Sequence, residues 1–123
     1  MSSDSSPPRV PSVRPRIRVL LGDEIALGPG KVNLLEAIDR TGSLAEAARS
    51  LEISYMRAWH LLQTINACFK EALVHSSRGG SKHGGAALTE TGRAVVAAYR
   101  RMEAESLRAL EPAWQEILSQ LAE

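Results

Sequence analysis

Apolar positions recur along the chain with a period that changes, and each change marks a boundary. Arg16-Ile17-Arg18-Val19-Leu20-Leu21-Gly22 alternates and then runs apolar, which predicts a strand, with Asp23–Leu27 as its return. Gly28-Pro29-Gly30 interrupts it, and Pro29 stands where a helix can begin. Val32, Leu34, Leu35 and Ile38 then fall at helical spacing to about Arg40, with Gly42 as the stop. Ser43 followed by Glu46 is a capping-box pattern, and Ala45, Ala47, Ala48 and Leu51 give a compact helix with small side chains. Ile53 anchors a tight turn and Ser54 caps the next helix, which runs to about Phe69. On that helix Tyr55, Ala58, Trp59, Leu62, Ile65 and Phe69 form the expected buried stripe. Met56, Arg57, His60, Gln63 and Thr64 occupy the opposite arc.

Leu73 to Arg78 reads as a strand and Ala86-Ala87-Leu88 as its partner, around a glycine-rich tip from Gly79 to Gly85. Thr89 caps a last helix, and Gly92 in its first turn lets it pass close to another backbone. Ala94 to Leu110 is long and rich in Arg and Glu, with Val95, Val96, Tyr99, Met102 and Leu107 apolar. Pro112 is expected to kink or restart it before Trp114, Ile117, Leu118 and Leu121. This order predicts a fold that is mainly α with a small β-wing: a winged helix-turn-helix with a long C-terminal helix. Residues 1–15, rich in Ser and Pro, are expected to be a disordered arm. Residues 16–92 form the winged domain, and 93–123 are terminal helices for dimerisation.

Composition changes this picture little. The net charge of +1 does not announce a nucleic-acid binder, yet Arg57, Arg78 and Lys82 fall on the side expected to face DNA. No apolar run approaches the roughly 20 residues that span a bilayer, and the N-terminus lacks the apolar core of a signal peptide. Cys68 is the single cysteine, so no internal disulfide forms, which fits a cytoplasmic protein.

Enzyme chemistry is not expected. His60, His75, His83 and Cys68 match no zinc spacing, and His60 and Cys68 lie roughly 80° apart around a helix. No Ser, His and Asp grouping resembles a triad, Glu103 and Glu105 read as solubilising charges, and no cofactor is expected. The glycine-rich tip lacks the phosphate-loop pattern, but its backbone N–H groups with Arg78, Lys82 and His83 suit DNA phosphates. Arg57 can reach guanine O6 and N7, worth roughly 1–3 kcal/mol of discrimination, beside Met56 and His60. Gln63 or Ser54 suits a base edge or a phosphate, and Tyr55, although on the inner stripe, carries a hydroxyl that suits a phosphate. The terminal helices hold more apolar surface than one small domain covers. The candidate dimer interface is Ile17, Val19, Leu21, Val95, Tyr99, Met102, Trp114 and Leu118, giving two half-sites about one DNA turn apart. The other arrangement is a monomer whose tail folds back.

Several stretches carry a family resemblance: Gly42-Ser43-Leu44 with Ala47-Ala48, Ile53-Ser54-Tyr55 with Ala58-Trp59, and Leu73-Val74. The Gly79–Gly85 tip with Ala86-Ala87, and Leu88-Thr89 with Gly92, complete the set. Together they resemble the DNA-binding domain of the molybdate-responsive ModE regulators over about residues 16–110. The broader G-S-x-x-x-A-A and L-T-x-x-G features also fit the LysR regulators. The resemblance implies a dimeric winged helix-turn-helix that controls transcription in a prokaryotic cytoplasm, often of molybdenum genes. It places the recognition helix from Ser54 to about Phe69 and the wing from Arg78 to Gly85. Met56, Arg57 and His60 stand where members vary, which implies a distinct operator. The chain stops near Glu123, so the oxyanion-binding domains are expected to be missing, and any molybdate response to come through a partner. The expected function is a sequence-specific DNA-binding regulator and homodimer. Its rival is a winged-helix protein–protein module that modulates a full-length regulator, and a small oxyanion sensor using the glycine loop is a third reading.

Overall fold

Helix α1 (Pro29–Thr41) forms the centre of the core, because its apolar residues cover more than half of its circumference. Val32, Leu34, Leu35, Ala37 and Ile38 are all fully buried. The computed structural model of the protein describes residues 7–77 and 85–122. Before α1, strands β1 (Val19–Leu21) and β2 (Glu24–Leu27) form an antiparallel hairpin, with a register shift between Val19 and Leu20. After it come α2 (Leu44–Ser50), α3 (Tyr55–Ala67), the antiparallel pair β3 (Val74–Ser77) and β4 (Gly85–Leu88), and α4 (Glu90–Leu118). The helices, β2 and the β3–β4 pair pack around α1 into the winged helix-turn-helix that the pattern predicts.

Local chemistry sets the joints. Gly42 closes α1 in the left-handed region, at φ 80°, and its N–H donates to the Ile38 carbonyl at 2.8 Å. Ser43 Oγ accepts the Glu46 N–H at 3.0 Å and starts α2, a cap worth about 1 kcal/mol. The reciprocal half of the capping box does not form. The Ser43 N–H turns to Thr41 Oγ1, and the Glu46 carboxylate pairs with Arg49. In the turn between α2 and α3, Glu52 takes φ 58° and the Ile53 N–H donates to the Ala48 carbonyl at 3.1 Å. Ala47 and Ala48 are buried, so α2 lies close against its neighbours.

Gly92 is required by space. A Cβ there would lie 2.1 Å from the Leu73 carbonyl oxygen. Thr89 joins the same contact: its hydroxyl accepts the Gly92 N–H at 2.9 Å and donates to the Ala72 carbonyl at 2.8 Å. The start of α4 is thereby fastened to the segment entering β3.

Three expectations need correction. Tyr55 and Trp59 are not core residues: they are 52% and 39% exposed. The buried arc of α3 is Ala58, Leu62 and Ile65, and Trp59 sits about 100° round from Ala58, beyond what α1 and α2 cover. Of the two outcomes expected at Pro112, the restart does not occur, since α4 continues through it to Leu118. The stretch from Leu107 to Ala113 is exposed, so a carbonyl left there without its helical donor is open to solvent. Tyr99, expected at a dimer interface, is 1% exposed inside this chain's own core, with its hydroxyl donating to the Ile17 carbonyl at 2.7 Å. Ile17, Val19 and Val95 also pack partly against that core.

Candidate nucleic-acid interface

The side chains that face solvent on α3 do so because the opposite side is fixed at both ends. At the start, Ser54 Oγ accepts the Arg57 N–H at 3.1 Å, and the Ser54 carbonyl accepts the Ala58 N–H at 3.0 Å. The hydroxyl lone pair of Ser54 therefore serves the cap, and its proton stays free to donate outward. At the far end Asn66 fastens α3 to the wing. Its Oδ1 accepts the N–H groups of Leu73 and Val74 at 2.9 and 3.3 Å, and its Nδ2 donates to the Val74 carbonyl. Ala58, Leu62 and Ile65 hold the middle.

Along the outer arc Ser54, Tyr55, Met56, Arg57, Trp59, His60 and Gln63 are exposed, so six of the sequence candidates stand on one continuous surface with Trp59 among them. The Trp59 and His60 rings meet edge to face, with centroids 5.2 Å apart. Neither the Arg57 guanidinium nor the Gln63 amide makes a side-chain hydrogen bond or ion pair among the described residues. Arg78, Lys82 and His83, the candidates on the wing tip, lie outside the described residues. The base of the wing is tied to the end of α1, where the Ala86 N–H donates to the Gly42 carbonyl at 2.9 Å.

One flank of α3 borders an open cleft of about 590 Å³. Arg57, His60, Leu61 and Thr64 line one side; Asp23, Glu24 and Ile25 from the hairpin, with Lys31 of α1, line the other. The Lys31 ammonium donates to the Ile25 carbonyl, which holds the hairpin onto α1. Sequence reasoning misses Lys31, Asp23 and Glu24 here. Asp23 is legible as a turn residue, but nothing local sets the turn beside α3. Among the described residues no three His, Cys, Asp or Glu side chains converge as metal ligands would. Nor is any helix among them long and apolar enough to cross a membrane.

A capped helix exposing Arg, His and Gln on a helix-turn-helix frame, with a wing behind it, defines the winged helix-turn-helix class of DNA-binding domain. Residues 30–93 match the bacterial regulatory helix-turn-helix proteins of the lysR family, and the chain belongs to that family. Its sequence is also similar to the molybdenum transport protein ModE of Azotobacter vinelandii, 43% identical over 70% of this chain and 32% of that protein. The molybdenum-pterin-binding protein MopA of Rhodobacter capsulatus is 39% identical over 68% of this chain and 32% of its own length. The DNA-binding transcriptional dual regulator ModE of Escherichia coli K12 is 32% identical over 64% of this chain and 30% of its own. The chain thus spans about a third of the length of the curated relatives it matches. A solved mutant of Lactococcus lactis ZitR shares the fold, with a TM-score of 0.53 at 18% identity over 87% of this chain and 70% of that one.

Proposed function

We propose that this chain is a sequence-specific, dimeric DNA-binding regulator of transcription that lays α3 in the major groove. The observation that carries the reading is the outer arc of α3, where Arg57, His60, Gln63 and Met56 are exposed on a helix anchored at both ends. Arg57 reads a guanine edge, Met56 supplies apolar contact beside it, and His60, Gln63 and Ser54 take neighbouring edges or phosphates. Arg78, Lys82 and His83 on the wing add backbone contacts that strengthen binding without reading sequence. A second copy docks on the uncovered face of α4 through Trp114 and Leu118, with exposed Leu21 of the hairpin as a further contact; Met102 lies about 120° round the helix from Trp114, off that face. Relatives named for molybdenum transport and molybdenum-pterin binding make molybdenum-handling genes the first promoters to test.

Selection of bound duplexes from a random library at about 150 mM salt tests the reading. A palindromic enriched site supports it. Arg57→Ala is then expected to lose roughly 1–3 kcal/mol of discrimination at one base position per half-site. Two observations favour a second reading: the net charge is only +1, and Tyr55, Met56 and Trp59 add apolar surface to α3. A winged-helix module that pairs with a full-length regulator would give no enriched site and would co-purify as a heterodimer.

A further inference from the structure

Helix α4 changes surroundings partway along. Gly92, Val96 and Tyr99 are buried, and no residue after Tyr99 is. The apolar stripe nevertheless continues on the same side: Leu107, Leu110, Trp114, Ile117 and Leu118 all fall within about 100° of arc that also contains Val96 and Tyr99. Arg100 stands where the helix leaves the core. Its Nε donates to Glu36 Oε2 at 3.0 Å and its Nη2 to Glu36 Oε1 at 2.5 Å, a two-pronged pair across α1 and α4. Nη2 also donates to Asn33 Oδ1 at 3.1 Å, and Nη1 to Glu103 Oε1 at 2.6 Å. The guanidinium is thus held by two residues of α1 and one of α4. A planar fork so bound fixes orientation as well as distance. The pair is more than a third exposed, so solvent screens it and it adds little to stability.

We propose, on the strength of the dimeric DNA-binding reading above, that Arg100 is a positioning residue that sets the spacing between the two DNA half-sites. The stretch from Arg101 to Leu118 is a lever about 27 Å long, at 1.5 Å per residue. A tilt of roughly 10° where it leaves the core displaces the far end by about 5 Å. That exceeds one base step of about 3.4 Å along DNA. When two levers join at their far ends, the angle of each against its own α1 sets how far apart the two α3 helices stand. Glu36 and Asn33 belong to α1, which also carries the frame that holds α3. Arg100 therefore connects the dimer angle to the reading heads.

The test uses duplexes carrying two copies of the selected half-site, with the separation changed in single base steps. The whole chain is expected to favour one separation by about tenfold or more. Arg100→Met keeps the aliphatic stem and removes the fork. It is expected to cut that preference to about threefold or less, with affinity for a lone half-site unchanged. Glu36→Gln, which keeps shape and loses charge, is expected to move the profile the same way. Unchanged profiles in both variants overturn the role of Arg100 and leave the dimeric regulator standing. A wild-type chain that binds its half-site but ignores separation overturns the dimeric reading, and the role of Arg100 with it.

Discussion

Helices α1 and α4 are both amphipathic, and they place their apolar residues in opposite ways. In α1, Val32, Leu34, Leu35, Ala37 and Ile38 all reach zero exposure within 13 residues. In α4, 29 residues yield three buried positions, all between Glu90 and Tyr99. Past Arg100 the stripe continues while its cover stops, so Leu107, Leu110 and Ile117 stay exposed. The N-terminal segment covers only the beginning of that stretch. Val13, Arg14, Pro15 and Arg16 border a pocket of about 350 Å³ with Glu103 and Leu107. One helix is therefore saturated by its own chain, and the other carries a repeating apolar face beyond any partner the described chain supplies. An amphipathic pattern alone does not say which molecule covers it.

That contrast can be broken first at the proximal end of α4. Gly92→Ala gains about 1 kcal/mol of helix propensity, but its methyl would meet the Leu73 carbonyl, a backbone atom that cannot rotate away. We expect net destabilisation of about 2 kcal/mol, read as a melting temperature about 10 °C lower. An unchanged melt would mean that Leu73 does not hold this end. The distal end should answer differently. Ile117, at 57% exposed, replaced by Glu should abolish the dimer in sedimentation. Its effect on unfolding in dilute solution, where the chains are apart, should stay within about 0.5 kcal/mol. A dimer that survives Ile117→Glu places the interface elsewhere.

The smallest effect is expected at the junction between the two ends. The Arg100 hydrogen bonds hold the Glu36 carboxyl below its ordinary value of 4.5, against the opposing effect of burial, with Arg100 and Arg40 charges adding to the lowering. A carboxyl lowered in the folded state contributes stability that is complete above the unfolded value and is lost as pH falls through the folded one. Wild type and Glu36→Gln should therefore differ by at most about 1 kcal/mol near neutrality, and the difference should shrink as pH falls through the lowered Glu36 value, below 4.5. Thermal melts across that range measure it. A constant difference would show that the pair's contribution is not ionic.

Helix ends are legible in the chain because their causes are local. Ser43, Ser54 and Thr89 cap within three residues, and Gly42 and Gly92 stand where the backbone needs them. Burial of α3 is less legible. A helical wheel gives the angle of Tyr55 and Trp59, but α1 and α2 decide how wide an arc they cover. Pro112 misleads about a restart for a related reason: local rules count its missing donor without knowing that the stretch around it is exposed. The Arg100 cluster cannot be read at all, since Glu36 lies 64 residues away. The cleft beside Arg57 is equally hidden, because it depends on where the hairpin folds onto α1.

The wing is joined to its neighbours largely through main-chain groups, and α3 is held by Ala58, Leu62 and Ile65 on its inner face. Ala86 donates to the Gly42 carbonyl, Thr89 to the Leu73 carbonyl, and Asn66 grips the Leu73 and Val74 backbone. None of these bonds consults the identity of Met56, Arg57, His60 or Gln63. The exposed alphabet can therefore be rewritten in a lineage, one letter at a time, while the page that carries it keeps its shape. On the proposed reading of α3, new recognition specificities would then arise by point replacement there, with no passage through an unfolded intermediate in sequence space.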